Sequence, residues 1–185
     1  MKNMTVPNLI TLLRISLVPF LIYLVYKVNT LVFLLVLGGS LLSDVLDGYV
    51  ARLMNQTSDI GAKLDSVADT LTYCVMIFAL YQLWKDHFIE QAMFIYLAIS
   101  CYFVTTLISA FKFGELPSYH TLGAKVAALL LAPSYYLMVL FDAEFLFRSV
   151  IIFYILVAFE ELIITFMLKR PEKNIGSVFS LFRRI

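Results

Sequence analysis

The segments SDVLDGYVAR, Ser43 to Arg52, and GAKLDSVAD, Gly61 to Asp69, place four carboxylates in an otherwise strongly apolar chain: Asp44, Asp47, Asp65 and Asp69. The sequence on either side reads as apolar helix, so the segments lie where two such helices meet at one end. Asp44 and Asp47 are three residues apart and Asp65 and Asp69 four apart, spacings that put each pair on one helical face. Like charges gathered beside hydrocarbon repel one another and are costly to desolvate, so the cluster calls for cations. A divalent-metal site at a membrane surface is the economical explanation. Oxygen ligands suit Mg²⁺ or Mn²⁺, whereas Zn²⁺ or Cu favours His or Cys, and neither residue occurs between 43 and 69. Gly48 and Gly61 share faces with the aspartates, where a missing side chain lets a flat base or a sugar approach the backbone. Arg52 lies two turns beyond Asp44, placed either to grip a phosphate or to brace an aspartate.

Composition agrees. With 62% hydrophobic and 15% charged residues, the chain reads as an integral membrane protein. Six spans are expected, at 9–27, 31–50, 66–84, 90–111, 123–141 and 148–168, in an all-α bundle with short polar connections. One domain over 1–185 is expected, with 169–185 a basic amphipathic tail on an anionic membrane face or an ordinary topogenic cluster. Bulky residues from Phe20 to Tyr26 offer no small-residue cleavage site, so the first span is expected to remain as a helix. Six spans put both termini on one side with Lys2, Arg14, Arg52, Lys63, Lys112, Lys125, Lys169, Arg170, Lys173, Arg183 and Arg184. The other side keeps Lys27, Lys85 and Arg148. The positive-inside rule then makes the termini and the aspartate cluster cytoplasmic. The net charge of +1 is uninformative on its own, and no nucleic-acid partner is expected.

The order Asp44-x2-Asp47-Gly48-x2-Ala51-Arg52-x8-Gly61-x3-Asp65-x3-Asp69 resembles the signature of the CDP-alcohol phosphatidyltransferase family at every fixed position. Pro7-Asn8-Leu-Ile-Thr11-Leu-Leu-Arg14 resembles the family's usual opening. The resemblance implies a six-helix homodimeric enzyme of a bacterial or archaeal-type cell membrane. Its reaction would move a phosphatidyl group from CDP-diacylglycerol to an alcohol and release CMP. The resemblance further implies Asp44, Asp47 and Asp65 as ligands of two Mg²⁺ or Mn²⁺ ions, with Asp69 as general base and also a metal ligand. Asn8, Thr11, Asp44, Gly48, Ala51, Arg52 and Gly61 would bind the CDP moiety. The opening, followed by Leu17-Val-Pro-Phe20, is similar to the phosphatidylglycerophosphate synthase branch, which implies glycerol 3-phosphate as acceptor. The chain departs from that branch at Ser66 and Thr70, where Pro and Lys are usual, and from the serine-using branch at Thr72-Tyr73-Cys74. Serine, inositol phosphate or another alcohol therefore stay open as acceptors.

Lys112, His120 and Lys125 are candidates, with Arg14, for an anionic acceptor; interfacial anchoring would account for the first three equally well. Glu160 and Glu161 fall inside the last span, where a carboxylate is costly unless paired, protonated or wet, so at least one is expected to face the bundle interior. Cys74 and Cys101 are expected to be inert packing residues, and the tyrosines and Trp84 interface or packing residues. A cation transporter is the non-enzymatic alternative. It would spread carboxylates across the bilayer depth, whereas only Glu160 and Glu161 lie deep here.

Overall fold

The computed structural model describes residues 6–53, 59–114, 119, 121–172 and 175–182, with side chains for all of these except 6, 7, 45–53, 59, 60, 62, 63 and 182. The described secondary structure is entirely helical: α1 (Val6–Tyr26), α2 (Thr30–Leu53), α3 (Asp59–Leu83), α4 (Lys85–Phe113), α5 (Leu122–Phe141), α6 (Glu144–Met167) and the short α7 (Val178–Phe182). Among the described residues, all but α2 and α7 carry a stretch long and apolar enough to cross a bilayer. In α2 the described side chains end at Asp44, and they form an apolar stretch over Thr30–Asp44. The all-α, multi-span reading holds, and six long helices are present among the described residues. Their ends differ from the expected ones in a consequential way: α2 runs on to Leu53 and α3 starts at Asp59. Both aspartate segments therefore lie on helices. Pro19 and Pro133 sit inside α1 and α5, as membrane helices tolerate.

The chain forms two compact units, residues 1–88 and 89–185. In the first, α1 packs on both α2 and α3. Leu21, Leu24 and Val25 of α1, Phe33, Leu34 and Leu37 of α2, and Val75, Met76, Ala79 and Leu80 of α3 are buried. Aromatic contacts extend this core, with Tyr26 and Phe78 rings 5.6 Å apart and Phe33 and Trp84 rings 6.3 Å apart. The turn from α1 into α2 is three residues long, and Asn29 Oδ1 accepts from Val32 N–H at 3.3 Å to open α2.

The second unit is built on the antiparallel pair α5 and α6. Thr121 caps α5 by accepting from Ala124 N–H at 3.1 Å, and Asp142 in the left-handed region ends it. Arg148 of α6 donates to Gln91 of α4 at 2.8 Å and to Glu144 at 3.0 Å. At the opposite end of α6 the Lys112 ammonium donates to the carbonyls of Thr165 and Phe166 at 2.9 and 3.0 Å, satisfying oxygens the helix leaves unpaired. Tyr119, Ile164, Leu168, Ile175 and Leu181 form a small core that seats the tail segment. Glu160 accepts from Val178 N–H at 2.9 Å, so one of the two membrane-depth glutamates is engaged within the unit.

Gly123 marks a close approach of α5 to α6, since a Cβ there would lie 2.7 Å from Val157 Cγ2. Gly123→Ala should therefore destabilise the protein by about 1–3 kcal/mol, as overpacking typically does. Thermal unfolding in detergent would register the loss. In a Val157→Ala background the same substitution should cost far less, and equal losses in both backgrounds would contradict a clash at this contact.

Candidate cation and headgroup site

The site begins with a change of character along three helix faces. On α1, Asn8, Thr11 and Arg14 are buried, and further along the same helix the buried positions are Leu21, Leu24 and Val25. Helical periodicity places Arg14, Leu21 and Val25 on nearly one line. On α3 the order is the same, Asp65, Ala68, Asp69 and Thr72 before Val75, Met76, Ala79 and Leu80. The antiparallel α2 runs in reverse, from Phe33, Leu34 and Leu37 through Ser40 to Asp44. Each of the three helices contributes one apolar and one polar half, and the polar halves coincide.

At that polar end the Arg14 guanidinium reaches three carboxylates. Its Nη1 is ion-paired with Asp44 Oδ1 and lies 3.2 Å from Asp69 Oδ1, while Nη2 donates to Asp65 Oδ1 at 2.6 Å. The Arg14 side chain is 2% exposed, whereas those of Asp44, Asp65 and Asp69 are 34%, 46% and 38% exposed. The cation is thus enclosed and the anions open on one side. Asp44, Asp65 and Asp69 each offer an oxygen within 4.8 Å of the others. Adjacent oxygens on an octahedral Mg²⁺ lie about 3 Å apart and opposite ones about 4.2 Å, so one ion would draw these three ligands closer together. The donor set is all carboxylate oxygen, which suits a hard divalent cation. Three carboxylates against one guanidinium leave two formal negative charges.

The remaining candidates divide as follows. Asn8 and Thr11 are buried on α1, ahead of Arg14, and Gly61 is half-buried near the start of α3. Asp47, Gly48, Ala51 and Arg52 continue α2 beyond Asp44, but their side chains lie outside the described residues, as does His120. Lys112 and Lys125 belong to the second unit, Lys112 on the α6 carbonyls and Lys125 exposed in the first turns of α5. Arg14, singled out from sequence for the acceptor, contacts the aspartates themselves. A buried arginine three residues after Thr11 and six after Asn8 on an apolar helix is a signal of a required partner, though its partners could not be named from α1 alone. Along the same α1–α3 seam runs an apolar groove of about 320 Å³ that Val18, Ile22, Leu71, Cys74 and Phe78 help to line. It starts one turn beyond Arg14. Cys74 and Cys101 are free thiols.

An all-α protein with several membrane-crossing helices and an acidic, cation-suited pocket at the polar end of three of them is the class that these features define. The model for "CDP-alcohol phosphatidyltransferase" matches residues 4–167, and the chain belongs to that family. Among similar proteins, the CDP-diacylglycerol–glycerol-3-phosphate 3-phosphatidyltransferase of Pseudomonas fluorescens is 42% identical over 82 residues, 43% of this chain and 42% of that protein. The protein of the same description from Aquifex aeolicus is 42% identical over 66 residues, covering 36% and 37%. A putative cardiolipin synthase of Mycobacterium bovis is 40% identical over 73 residues, covering 38% and 34%. The matched segment spans about two fifths or less of the length of these relatives. No solved structure matches the chain.

The convergence of oxygens can be tested directly. Asp44→Asn removes one charged ligand, and a lost charge-assisted contact is worth roughly 1.5–3 kcal/mol. Mn²⁺ affinity in detergent micelles, read from the free-ion paramagnetic resonance signal, should fall by at least about tenfold. Unchanged affinity would remove Asp44 from the ligand set.

Proposed function

We propose that this protein transfers a phosphatidyl group from CDP-diacylglycerol to glycerol 3-phosphate, forming the phosphodiester and releasing CMP. The observation that carries this reading is the meeting of Asp44, Asp65 and Asp69 within 4.8 Å at the polar end of apolar helices. Family membership and the description shared by the Pseudomonas and Aquifex relatives support the reaction class and the acceptor. In this reading Asp44, Asp47, Asp65 and Asp69 hold divalent cations, two by analogy with the family. The cations would supply neutralising charge to the diphosphate and to the departing CMP. Asp69 takes the proton of the acceptor hydroxyl as that oxygen attacks the phosphorus bearing diacylglycerol; the bond from that phosphorus to the CMP oxygen breaks. Asn8, Thr11, Gly48, Ala51, Arg52 and Gly61 shape the cytidine and phosphate subsite. The acyl chains stay in the hydrocarbon, and the apolar groove between α1 and α3 gives one of them a surface beside the headgroup site. The distribution of basic residues supports a cytoplasmic active site, where CDP-linked substrates are available.

The mycobacterial match favours one second reading, in which phosphatidylglycerol replaces glycerol 3-phosphate as the attacking alcohol. Both use the same chemistry at phosphorus and differ only in the acceptor. An acceptor panel with CMP release as the signal separates them: glycerol 3-phosphate should support turnover and phosphatidylglycerol should not. Excess EDTA should abolish CMP release, and Mg²⁺ or Mn²⁺ should restore it. Full activity in chelator would exclude the metal-dependent reaction.

The assignment of the base makes a separate demand. Positioned general bases contribute about 10²–10⁴-fold, so Asp69→Asn should lower kcat by that order while leaving CDP-diacylglycerol binding within a few-fold. Near-normal turnover would move the base to another residue.

A further inference from the structure

The three oxygens best placed to ligate a cation are the three that Arg14 already takes. One guanidinium contacts Asp44, Asp65 and Asp69 at once, with its side chain enclosed and those of the aspartates partly open. A guanidinium and a divalent ion cannot share the same lone pairs at full strength, because each requires the carboxylate oxygens in its own geometry. We infer that Arg14 is an internal competitor for the cation, so that ion binding at this site is an exchange in which the guanidinium gives up carboxylate contacts. This inference rests on the reading of Asp44, Asp65 and Asp69 as cation ligands.

Two consequences follow from the geometry. The competitor is tethered to α1 beside its anions, so its effective concentration is high and the affinity for free cation is held down. Because its partners come from α2 and α3, Arg14 also keeps the polar ends of three helices assembled whenever the ion is not engaged. An arginine that only steadied the fold would leave cation affinity where it was. An arginine that only gripped substrate phosphate would have no reason to bind three aspartates.

The test is cation binding, read without turnover. Arg14→Gln in the full-length protein should bind Mn²⁺ at least about tenfold more tightly than the unmutated protein, since it removes charge-assisted contacts that the ion must otherwise displace. Its thermal stability in EDTA should be lower and should recover with Mn²⁺ by a larger increment than in the unmutated protein. Arg14→Lys keeps the charge but loses the fork, and should fall between the two in Mn²⁺ affinity. If Arg14→Gln does not fold, Arg14→Lys carries the comparison. A measurement on the unmutated protein stands beside them: the ¹⁵N resonances of the Arg14 guanidinium should shift and lose restricted rotation as Mg²⁺ saturates. Mn²⁺ affinity equal to or weaker than that of the unmutated protein in the variants that fold would overturn the inference, and so would guanidinium resonances that ignore bound Mg²⁺. In those outcomes the unmutated protein still binds Mn²⁺ and the site reading survives. Failure of the unmutated protein to bind Mn²⁺ would instead overturn the cation site, and this inference with it.

Discussion

The ion pairs of Arg14 are the interaction on which the polar end of the first unit depends. Two carboxylates 4.8 Å apart repel by about 3 kcal/mol at an effective dielectric of about 20, and by less where water reaches them. Asp44, Asp65 and Asp69 are within that distance of one another, so three such repulsions act at the end of three apolar helices. Contacts to one cation at 2.6 and 3.2 Å each outweigh a repulsion of that size, because the separation is shorter and the cation is enclosed. The sign of the cluster energy therefore turns on a single side chain. Since α1 packs on both α2 and α3, α1 is the helix on which a counter-charge can serve both.

The same logic of satisfied polar ends recurs in the second unit with different groups. Lys112 closes the carbonyl end of α6, Glu160 receives the first N–H of α7, and Arg148 joins α6 to α4 through Gln91 while pairing with Glu144 on its own helix. A charged or buried polar group in these apolar helices is costly without a partner. These groups join helix to helix or helix to tail, beside buried apolar residues that include Met138, Val150, Val157 and Ile164. Glu160 shows why a glutamate can stand in a membrane-spanning helix: it accepts a backbone hydrogen bond from a chain segment eighteen residues later.

Much of this was legible in the sequence because it rests on local periodicity. The helical class, the long spans and the placing of Asp65 and Asp69 on one face of α3 follow from spacing alone. Helix ends were less legible: α3 begins at Asp59 and α2 continues to Leu53, since helix propensity carries each helix past the point where hydropathy stops. Long-range partnerships were not legible at all. Nothing within α1 says that Arg14 meets Asp65 51 residues away, and nothing near Lys112 points to the carbonyl of Thr165. The small core around Tyr119 and Leu181 joins the end of α6 to the tail, a pairing that no local pattern shows. Gly123 carried no signal either, because its role depends on Val157 across the helix pair.

The division of α1, α2 and α3 into polar and apolar halves bears on how such a site can work without loosening the fold. If the contacts that hold the polar ends together are also those that a cation and a diphosphate must claim, they cannot be the main source of stability. The apolar halves carry that task, through Leu21, Val25, Phe33, Leu37, Ala79 and Leu80, each at most 1% exposed, and through the ring contacts at Tyr26 and Trp84. At roughly 1.5–3 kcal/mol for each fully buried large apolar side chain, or less where the alternative is lipid instead of water, this half outweighs any single ion pair at the other. Charge can then be rearranged at one end while close packing holds the register of the helices at the other.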